Sequence, residues 1–504
     1  MGERSLCKLL DGEATTSISP DVTVSSIVFD SRQASPGAVF FAVAGHAQDG
    51  NEFIADAVKR GAVAVVVEAG CKVSELPPGV VLARVVNVRR ALAAVSSRFF
   101  GEPSTKLLCV GVTGTNGKTS ISWITAQAAS QVFGPWVQIG TLGTRLAQVG
   151  SGSDFTPLPT TTPDPLVIQR TMCEGLESGA KGVVLEASSH ASVQLRTASV
   201  EWDVLAFTNL TRDHLDYHPS MEEYFAAKRR LFIEELAASR KAKRTAVVCI
   251  DNPFGLRLAN ELAGMEGCDL ITASAIGEAS DCCVVSSECR TDGTHIDLLF
   301  KGEAVALRSK LSGRFNVENL VTSFGILKAL GASTAAVVEA LAEVPEVPGR
   351  IERVFSDDYA VFVDYAHTPA ALEAACAALR ELEPARLIVV FGCGGDRDRG
   401  KRPEMGQVVR ERADFAIVTS DNPRSEDPQS IVDEIAQAFA DCSNFECIVD
   451  RRLAIARAVE IARSGDIILI AGKGHEPYQE INGVRHDFDD RLVAREVIDL
   501  QASA

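Results

Sequence analysis

The chain alternates short, continuous apolar runs with segments whose apolar residues recur at helical spacing. Residues 183–185, 204–207 and 387–391 are runs of this kind, and polar residues and a helical pattern follow each of them. Short continuous runs are typical of parallel strands that helices cover on both faces. The order of the elements therefore predicts an α/β protein built on mostly parallel sheets.

Two punctuated segments divide this pattern into three parts. Residues 101–104 have the sequence Gly-Glu-Pro-Ser, and residues 343–349 contain two prolines and a glycine. Both segments are candidate linkers because proline and glycine interrupt helices and strands. A chain of 504 residues has room for about three domains of roughly 150 residues each. We therefore predict domains at residues 1–104, 105–345 and 346–504.

Residues 114–119 carry the most specific chemical signal. They form the motif Gly-Thr-Asn-Gly-Lys-Thr, which follows an apolar run beginning at Leu107 and leads into a segment with helical spacing. A strand, a glycine turn, Lys-Thr and a helix indicate a phosphate-binding loop, in which backbone N–H groups surround a polyphosphate. The motif is a shortened variant, since Val112 stands where the general pattern has glycine. We expect Lys118 to reach the terminal phosphates and the Thr119 hydroxyl to bind Mg²⁺.

Polar residues follow other predicted strands, at the edge where open parallel sheets bind ligands. Glu186 follows residues 183–185 directly, and its carboxylate either joins a Mg²⁺ site or faces solvent. Residues 213–218 contain two carboxylates and two histidines, which suit metal binding, acid–base chemistry or a solvated turn. Residues 392–402 join a glycine turn to four cationic side chains, as an anion site or a flexible basic loop would. Residues 421–424 are typical of a proline turn unless their arginine faces a cleft.

Charge and composition narrow the possible partners. The net charge of −17 makes nucleic acid a poor partner for the chain as a whole. No apolar run approaches the roughly 20 residues of a membrane span, and the N-terminus lacks a signal-peptide pattern. The thirteen cysteines include no C-x-x-C pair. We therefore expect a cytoplasmic protein with reduced thiols, no bound nucleic acid and no membrane insertion.

Six motifs, in chain order, resemble those of the Mur ligases, and the likeness covers nearly the whole chain. The resemblance implies a UDP-binding N-terminal domain, a central ATPase domain of phosphate-loop type and a C-terminal Rossmann-like domain. The motifs are Gly-Thr-Asn-Gly-Lys-Thr at 114–119, Glu-Ala-Ser-Ser-His at 186–190, Thr-Asn-Leu-Thr-Arg-Asp-His-Leu-Asp at 208–216, Gly-Arg-Phe-Asn-Val-Glu-Asn at 313–319, Pro-Gly-Arg-Ile-Glu at 348–352 and Asp-Tyr-Ala-His-Thr-Pro at 364–369.

The resemblance also implies roles around ATP and Mg²⁺. Thr119 and Glu186 match magnesium ligands, and His214 matches a position near a second metal. Lys228 matches the carbamylated lysine of the family, although its helical pattern by itself favours an exposed lysine. A carbamate turns the ammonium into an anion that can hold Mg²⁺. The implied catalytic residues are Lys118, His214 and Lys228, and the implied ATP contacts are Gly114, Thr115, Asn116, Gly117, Lys118, Thr119, Ser120, Asn316 and Arg350.

Within the family, residues 421–424 are similar to a diaminopimelate-recognition motif. This likeness implies a ligase that uses ATP to add meso-diaminopimelate to UDP-N-acetylmuramoyl-L-alanyl-D-glutamate. We separately expect the protein to be a monomer. The implied diaminopimelate contacts are Arg397, Asp421, Asn422, Pro423, Arg424, Gly472 and Glu476. The implied contacts to the UDP-muramoyl dipeptide form two groups. The contacts to the uridine nucleotide are Phe29, Ser31, His46, Ala47 and Gln48, and those to the muramoyl dipeptide are Thr161, Thr162, Ser188, Gln194 and Arg196.

Three alternative functions share parts of this pattern. A lysine-adding ligase of the same family and a folylpolyglutamate synthase would carry the same phosphate loop, but the Asp-Asn-Pro-Arg turn disfavours both. A nucleotide-dependent scaffold would bind ATP without ligation. Glu186, His214 and Lys228 argue against a scaffold because binding alone does not require them.

Overall fold

The computed structural model describes residues 4–45, 49–150, 155–214 and 217–502. The chain forms two compact units, residues 1–273 with 325–333 and residues 274–324 with 334–504. Parallel strands dominate the first unit and the six-stranded sheet of the second, which confirms the predicted fold class. The domain boundaries near residues 104 and 345 stay predictions. Among the described residues, no helix combines the length and the apolar character needed to cross a lipid bilayer.

The amino-terminal part of the first unit is a four-stranded parallel sheet with apolar clusters on both faces. The strand Ala38–Phe41 is buried throughout because alternate side chains enter opposite clusters. In sheet order the strands are Ser26–Val28, Ala38–Phe41, Ala64–Glu68 and Val81–Val85. A short antiparallel pair, Arg4–Ser5 and Thr23–Val24, precedes them, and the helices are Leu6–Leu9, Ile54–Lys59 and Val88–Phe99.

The rest of the first unit holds a second sheet, with the phosphate-loop strand near its centre. Leu108–Thr113 pairs in parallel with Gly182–Glu186 on one side and Val204–Phe207 on the other. The loop at residues 114–117 therefore opens beside the carboxyl ends of both neighbours. In sheet order the strands are Asp269–Ser274, Thr245–Cys249, Val204–Phe207, Leu108–Thr113, Gly182–Glu186, Trp136–Gly140 and Gly143–Ala147, of which the last is antiparallel. The helices are Lys118–Phe133, Pro165–Glu177, Ser189–Val193, Met221–Arg230, a π-helix at Leu231–Leu236, and Pro253–Leu262.

The second unit contains an antiparallel meander and a six-stranded sheet. The meander strands are Cys282–Arg290, Gly293–Phe300 and Glu303–Ser309. In sheet order the six strands are Glu352–Ser356, Ala360–Asp364, Ile467–Ala471, Leu387–Phe391, Phe415–Val418 and Phe445–Cys447, of which only the first is antiparallel. Apolar clusters cover both faces of this sheet. The helices are Arg314–Ala329 (314–324 in this unit), Thr334–Ala342, Pro369–Arg380, Lys401–Arg412, Pro428–Ala436, Arg451–Ile461 and Asp490–Ala502, and the strands Tyr478–Ile481 and Val484–Asp487 form a hairpin.

Candidate active site

Two glycines shape the phosphate loop. Gly117 precedes the helix Lys118–Phe133 with a φ of +83°, and Gly114 has a φ of +151°, values that side chains rarely adopt. A Cβ atom on Gly114 would lie only 1.8 Å from the Thr208 hydroxyl oxygen. The loop therefore runs against the end of a neighbouring strand, and it leads into a helix N-terminus that favours bound anions.

The segment at residues 208–211 holds this loop in place. The Asn209 carbonyl accepts a hydrogen bond from the Thr115 N–H, and its side-chain oxygen accepts one from the Asn116 N–H, both at 2.9 Å. The Thr208 hydroxyl donates to the Asn116 carbonyl at 2.6 Å. These contacts therefore fix the backbone of the loop in front of the helix N-terminus before a polyphosphate binds.

Lys118 and Lys228 both donate to the same backbone carbonyl. Their Nζ atoms lie 3.0 Å and 2.7 Å from the Gly114 carbonyl oxygen, and Lys118 also reaches the Thr115 carbonyl at 2.8 Å. Lys228 is only 1% exposed, so the exposed lysine favoured by the local helical pattern is wrong. Burial, together with the charge of Lys118, holds the pKa of Lys228 well below its ordinary value. This shift favours the neutral, nucleophilic form of the Lys228 amine more than in an ordinary lysine.

Glu186 is fully buried beside the first turn of the phosphate-loop helix. Its Oε2 accepts hydrogen bonds from the hydroxyls of Thr119 and Thr141, each at 3.0 Å, and its Oε1 accepts one from the Thr141 N–H at 2.9 Å. Hydroxyl and carboxylate oxygens are ligands that Mg²⁺ prefers, so the pair Thr119 and Glu186 fits the predicted metal. Within the described ranges, no group of three or more His, Cys, Asp or Glu residues forms a metal site by itself.

The residues predicted to contact the muramoyl dipeptide lie next to this carboxylate. The Thr162 hydroxyl donates to the Glu186 carbonyl at 2.7 Å and accepts from the Ser188 N–H at 3.0 Å. The Thr161 hydroxyl lies 3.1 Å from the Thr141 hydroxyl. One connected network therefore joins the candidate metal ligand to these three predicted substrate contacts.

Arg196 extends the same network. Its Nη1 donates to the Thr162 carbonyl at 2.5 Å, and its Nη2 donates to the Gln194 side-chain oxygen at 2.7 Å. Burial lowers the pKa of Arg196, although the guanidinium stays cationic near neutral pH. The structure therefore brings Gln194 and Arg196 to the group predicted from sequence and places a fixed positive charge there.

The predicted uridine contacts lie in the amino-terminal sheet region. Phe29 follows the strand Ser26–Val28 and is 39% exposed, and an exposed ring of this kind can stack on a base. The Ser31 hydroxyl donates to the Asp56 carboxylate at 2.8 Å. The other three predicted contacts, His46, Ala47 and Gln48, lie outside the described residues.

His214 belongs to an aromatic cluster beside the phosphate loop. Its ring centroid lies 5.1 Å from that of His190 and 6.0 Å from that of Tyr224, and its Nε2 is 3.5 Å from an Asp213 carboxylate oxygen. The His218 ring stacks on Tyr224 at 5.0 Å. His214 and His218, the two histidines predicted from the 213–218 segment, therefore lie in one cluster. Leu215 and Asp216, which lie between them in the sequence, fall outside the described residues.

In the second unit, the two predicted nucleotide contacts have different surroundings. The buried Asn316 amide donates to the Ser312 carbonyl at 2.8 Å and accepts from the Asn319 amide at 3.0 Å. The Arg350 guanidinium lies 5.0 Å from the centre of the Tyr365 ring. The structure gives Asn316 a local structural role, and its contact to a nucleotide stays a prediction.

The predicted amino-acid site forms where three strands of the six-stranded sheet end. The Asn422 amide nitrogen donates to Glu476 Oε2 at 2.8 Å, which joins two positions 54 residues apart. A Cβ atom on Gly472 would lie 2.4 Å from Asp421 Oδ2, so only glycine leaves room for that carboxylate. Asp421 is 7% exposed, and its Oδ2 takes no hydrogen bond from the part of the chain that the structure describes. The third strand, Leu387–Phe391, lies between the strands that precede Asn422 and Glu476. The Gly395 N–H follows this strand and donates to the Asn422 carbonyl at 2.9 Å.

Arg424 turns towards the same site. Its Nη1 donates to the Gly395 carbonyl at 2.6 Å, and its backbone N–H donates to the Glu480 carbonyl at 3.0 Å. Its φ of +53° is uncommon for a residue with a side chain. Pro423 is buried next to it, and a Cβ on Gly395 would lie 2.0 Å from the Pro423 carbonyl oxygen. The turn is therefore held against the glycine segment, with its arginine half-buried there.

Three of the four cations in residues 392–402 already have protein partners. Arg402 is fully buried and lies 2.8 Å from both Glu426 and Glu434, and Arg399 pairs with Glu434. Lys401 Nζ donates to the His367 carbonyl at 2.9 Å. Arg397 is exposed, and no hydrogen bond or ion pair involves it among the described residues. Arg397 is therefore the cation of residues 392–402 that is left to bind an anion.

Three residues that touch these sites were not predicted from the sequence. Thr141 supplies two of the hydrogen bonds to Glu186, the Tyr224 hydroxyl lies 3.1 Å from the Thr115 hydroxyl, and the buried Lys473 donates to Asn422. Tyr224 could have been found from its i, i+4 spacing to Lys228, which places both on one helix face. Lys473 lies between two glycines after a predicted strand, which was the available signal.

These features define an α/β protein of the phosphate-loop class with a second site at a parallel sheet edge. Residues 23–100 match the Mur ligase family catalytic domain, residues 112–327 the Mur ligase middle domain and residues 349–474 the Mur ligase glutamate ligase domain. The chain belongs to the Mur ligase family.

Individual relatives agree with this family assignment. The chain is 42% identical to the UDP-N-acetylmuramoyl-L-alanyl-D-glutamate–2,6-diaminopimelate ligase of Xylella fastidiosa, over 95% of this chain and 94% of that protein. It is also 42% identical to the Pseudomonas putida ligase of that name, over 95% and 96%. A solved structure of a ligase with that name is 33% identical, with a TM-score of 0.72 over 99% of this chain and 100% of that chain. The Thermotoga maritima MurF ligase in complex with ADP shares the fold at 18% identity, with a TM-score of 0.59 over 95% and 98%.

Proposed function

We propose that this protein uses ATP to join meso-diaminopimelate to UDP-N-acetylmuramoyl-L-alanyl-D-glutamate, with release of ADP and phosphate. The reaction is an amide-bond ligation in peptidoglycan precursor synthesis. Relatives named for this activity match the chain at 42% identity over 95% of its length. The observation that carries the proposal is the turn at residues 421–424, which meets Gly472 and Glu476 at one sheet edge.

The chemistry begins at a carboxylate, which is a poor acyl donor. Phosphoryl transfer from ATP makes an acyl phosphate with release of ADP, and the amino group of diaminopimelate then attacks through a tetrahedral intermediate. The loop N–H groups and Lys118 would hold the phosphates and neutralise charge as it develops. Gln194 and Arg196 would orient the glutamyl end of the dipeptide together with Thr161, Thr162 and Ser188.

Mg²⁺ is the metal that the Thr119 and Glu186 oxygens fit. When bound, it would neutralise negative charge on the phosphates. We place Lys228 near it as a carbamate, formed when the neutral amine attacks CO₂ and loses a proton. The lowered pKa of the buried Lys228 amine supports this assignment because only the neutral amine can react. The His214 ring lies 6.0 Å from the ring of Tyr224, whose hydroxyl is 3.1 Å from the Thr115 hydroxyl of the phosphate loop.

The amino-acid site supports diaminopimelate over lysine. Diaminopimelate carries a second carboxylate at its far end, which a guanidinium can bind with two parallel hydrogen bonds. Arg424 is the half-buried guanidinium of this site, and Arg397 is the exposed one. Asn422, Asp421 and Glu476 would contact the ammonium and the carboxylate of the bound diaminopimelate.

We further propose that the protein works as a monomer in the cytoplasm.

A substrate screen tests the proposed function. The protein is incubated with UDP-muramoyl dipeptide, ATP and either diaminopimelate, lysine or ornithine, and the product mass is read by mass spectrometry. We expect the diaminopimelate product, with ADP release that depends on both cosubstrates. A product with lysine alone would contradict the substrate assignment, and ADP release without any product would indicate a nucleotide-dependent scaffold.

A further inference from the structure

Lys473 is a fully buried lysine in the second unit, and the chemistry proposed above does not use it. Its Nζ donates to the Asn422 side-chain oxygen at 3.1 Å and lies 3.5 Å from Glu476 Oε2. The ammonium also lies 5.4 Å from the centre of the Tyr478 ring. Burial of a lysine is costly unless its charge is paired and hydrogen-bonded, so these contacts give it a definite position.

The contacts of Lys473 decide which way the Asn422 amide faces. Asn422 Oδ1 accepts from Lys473 Nζ and also from the Glu480 N–H at 2.9 Å. Two donors on one side of the amide require the oxygen to be there, since an NH₂ group cannot accept from either. The Asn422 NH₂ group therefore faces Glu476 Oε2, where it donates at 2.8 Å.

The same contacts give the two oxygens of the Glu476 carboxylate different surroundings. Oε2 receives the Asn422 amide and lies beside the Lys473 ammonium. Oε1 takes no hydrogen bond from any residue that the structure describes, and the Glu476 side chain is 20% exposed. One oxygen is thus held by the protein, whereas Oε1 and the second N–H of the buried Asn422 amide bond to no described residue and are left for a ligand.

We propose that Lys473 is a positioning residue that sets the specificity of the amino-acid site. It locks the Asn422 amide and one Glu476 oxygen, so that Asn422 offers a donor and Glu476 offers an acceptor to the ligand. A donor and an acceptor side by side match a carboxylate and an ammonium on one carbon, the zwitterionic end of a diamino dicarboxylic acid. The inference rests on the proposed function and adds to it a residue that does not touch the ligand.

Initial-rate kinetics of Lys473→Met and Lys473→Arg in the full chain test this role. Lys473→Met removes one of the two donors that fix Asn422 Oδ1 and leaves Glu476 without its cation, and we expect the KM for diaminopimelate to rise about 10- to 100-fold. The KM values for ATP and for the UDP-muramoyl dipeptide should stay within twofold of wild type. Lys473→Arg, which keeps the charge and the donors, should recover most of the lost affinity.

Arg386→Met is the matched control. Arg386 pairs with the buried Asp466 at 2.5 Å, at the opposite end of the strands that lead into the site. Its loss should lower the melting temperature without changing the KM for diaminopimelate. Should Lys473→Met fail to fold, Lys473→Gln, which keeps a shorter uncharged donor, carries the same expected rise in KM.

The outcomes separate this inference from the proposed function. A wild-type protein that does not ligate diaminopimelate overturns the proposed function and the inference with it. A wild-type protein that does, combined with a Lys473→Met or Lys473→Gln variant of unchanged KM, overturns only the inference. Equal rises in all three KM values, unrelieved by arginine, would assign Lys473 to general stability and would also overturn it.

Discussion

The phosphate loop and the amino-acid site both lie at the carboxyl edge of a parallel sheet, yet they are built from different groups. The loop at residues 114–117 is a backbone turn that leads into a helix N-terminus, and hydrogen bonds with Thr208 and Asn209 hold it in place. The amino-acid site offers side chains from the ends of three strands, joined by Asn422, Glu476 and Lys473.

The difference explains why the two sites suit different parts of a reaction. Backbone N–H groups and a helix N-terminus bind any polyphosphate, so they suit a cosubstrate shared by many enzymes. Side-chain amides and charges distinguish one amino acid from another, because a buried partner left unpaired is costly. Changes in the loop should therefore affect turnover and the KM for ATP, whereas changes in the amino-acid site should affect the KM for diaminopimelate.

The largest expected effect lies in the loop. Lys118→Ala removes the cation that donates to the Gly114 and Thr115 carbonyls and that we expect to reach the terminal phosphates. We expect ligation to fall about 1000-fold, the upper range for one electrostatic donor at a transition state. Turnover is measured alongside the melting temperature, which should stay normal. A turnover within a few-fold of wild type would remove Lys118 from the chemistry.

Lys228→Ala should be the next most damaging change, with a loss of roughly 100-fold, typical of a buried charged partner. Because the proposed group is a carbamate, added short carboxylates should restore part of the activity. Intact-mass or high-resolution structural measurement at ordinary CO₂ should show the modified lysine in the wild-type protein. An unmodified lysine there would contradict the carbamate while leaving the loop comparison intact.

Arg424→Ala changes the amino-acid site and leaves the phosphate loop intact. Loss of the guanidinium should raise the KM for diaminopimelate by at least ~30-fold, the lower range for truncating a buried charge pair, and spare the KM for ATP. The backbone φ of +53° strains alanine, so Arg424→Asn is the control, since asparagine tolerates this conformation. A variant that keeps the wild-type preference for diaminopimelate over lysine would make Arg424 an ordinary turn residue.

The smallest expected effect comes from Tyr224→Phe. The Tyr224 hydroxyl lies 3.1 Å from the Thr115 hydroxyl, and burial raises the pKa of Tyr224 to about 12, so it stays protonated near neutral pH. Removal of this single hydrogen bond should raise the KM for ATP about fivefold and leave the KM for diaminopimelate unchanged. Titration with an ATP analogue should give the same shift in affinity. No shift in either measurement would show that the loop does not depend on this contact.

Much of the fold could be predicted because its signals are local. The continuous apolar runs became buried parallel strands such as Leu387–Phe391, and the phosphate loop follows Leu108–Thr113 as its glycines and Lys-Thr pair indicate. The predicted residues Thr162, Ser188, Gln194 and Arg196 also lie together. The local pattern of residues does not show which side chains become buried. The helical spacing around Lys228 therefore favoured an exposed lysine, whereas the structure buries it.

The order of strands and helices, the phosphate loop and the family resemblance all follow from the amino-acid sequence, because each depends on neighbouring residues or on a contiguous motif. Three pairings become visible only in the folded chain: Lys228 shares a carbonyl with Lys118, Arg402 pairs with two glutamates, and Lys473 orients Asn422. Those pairings join residues from 24 to 114 positions apart. They depend on which strand ends the sheets bring together, and no local pattern of hydrophobic and polar residues records that.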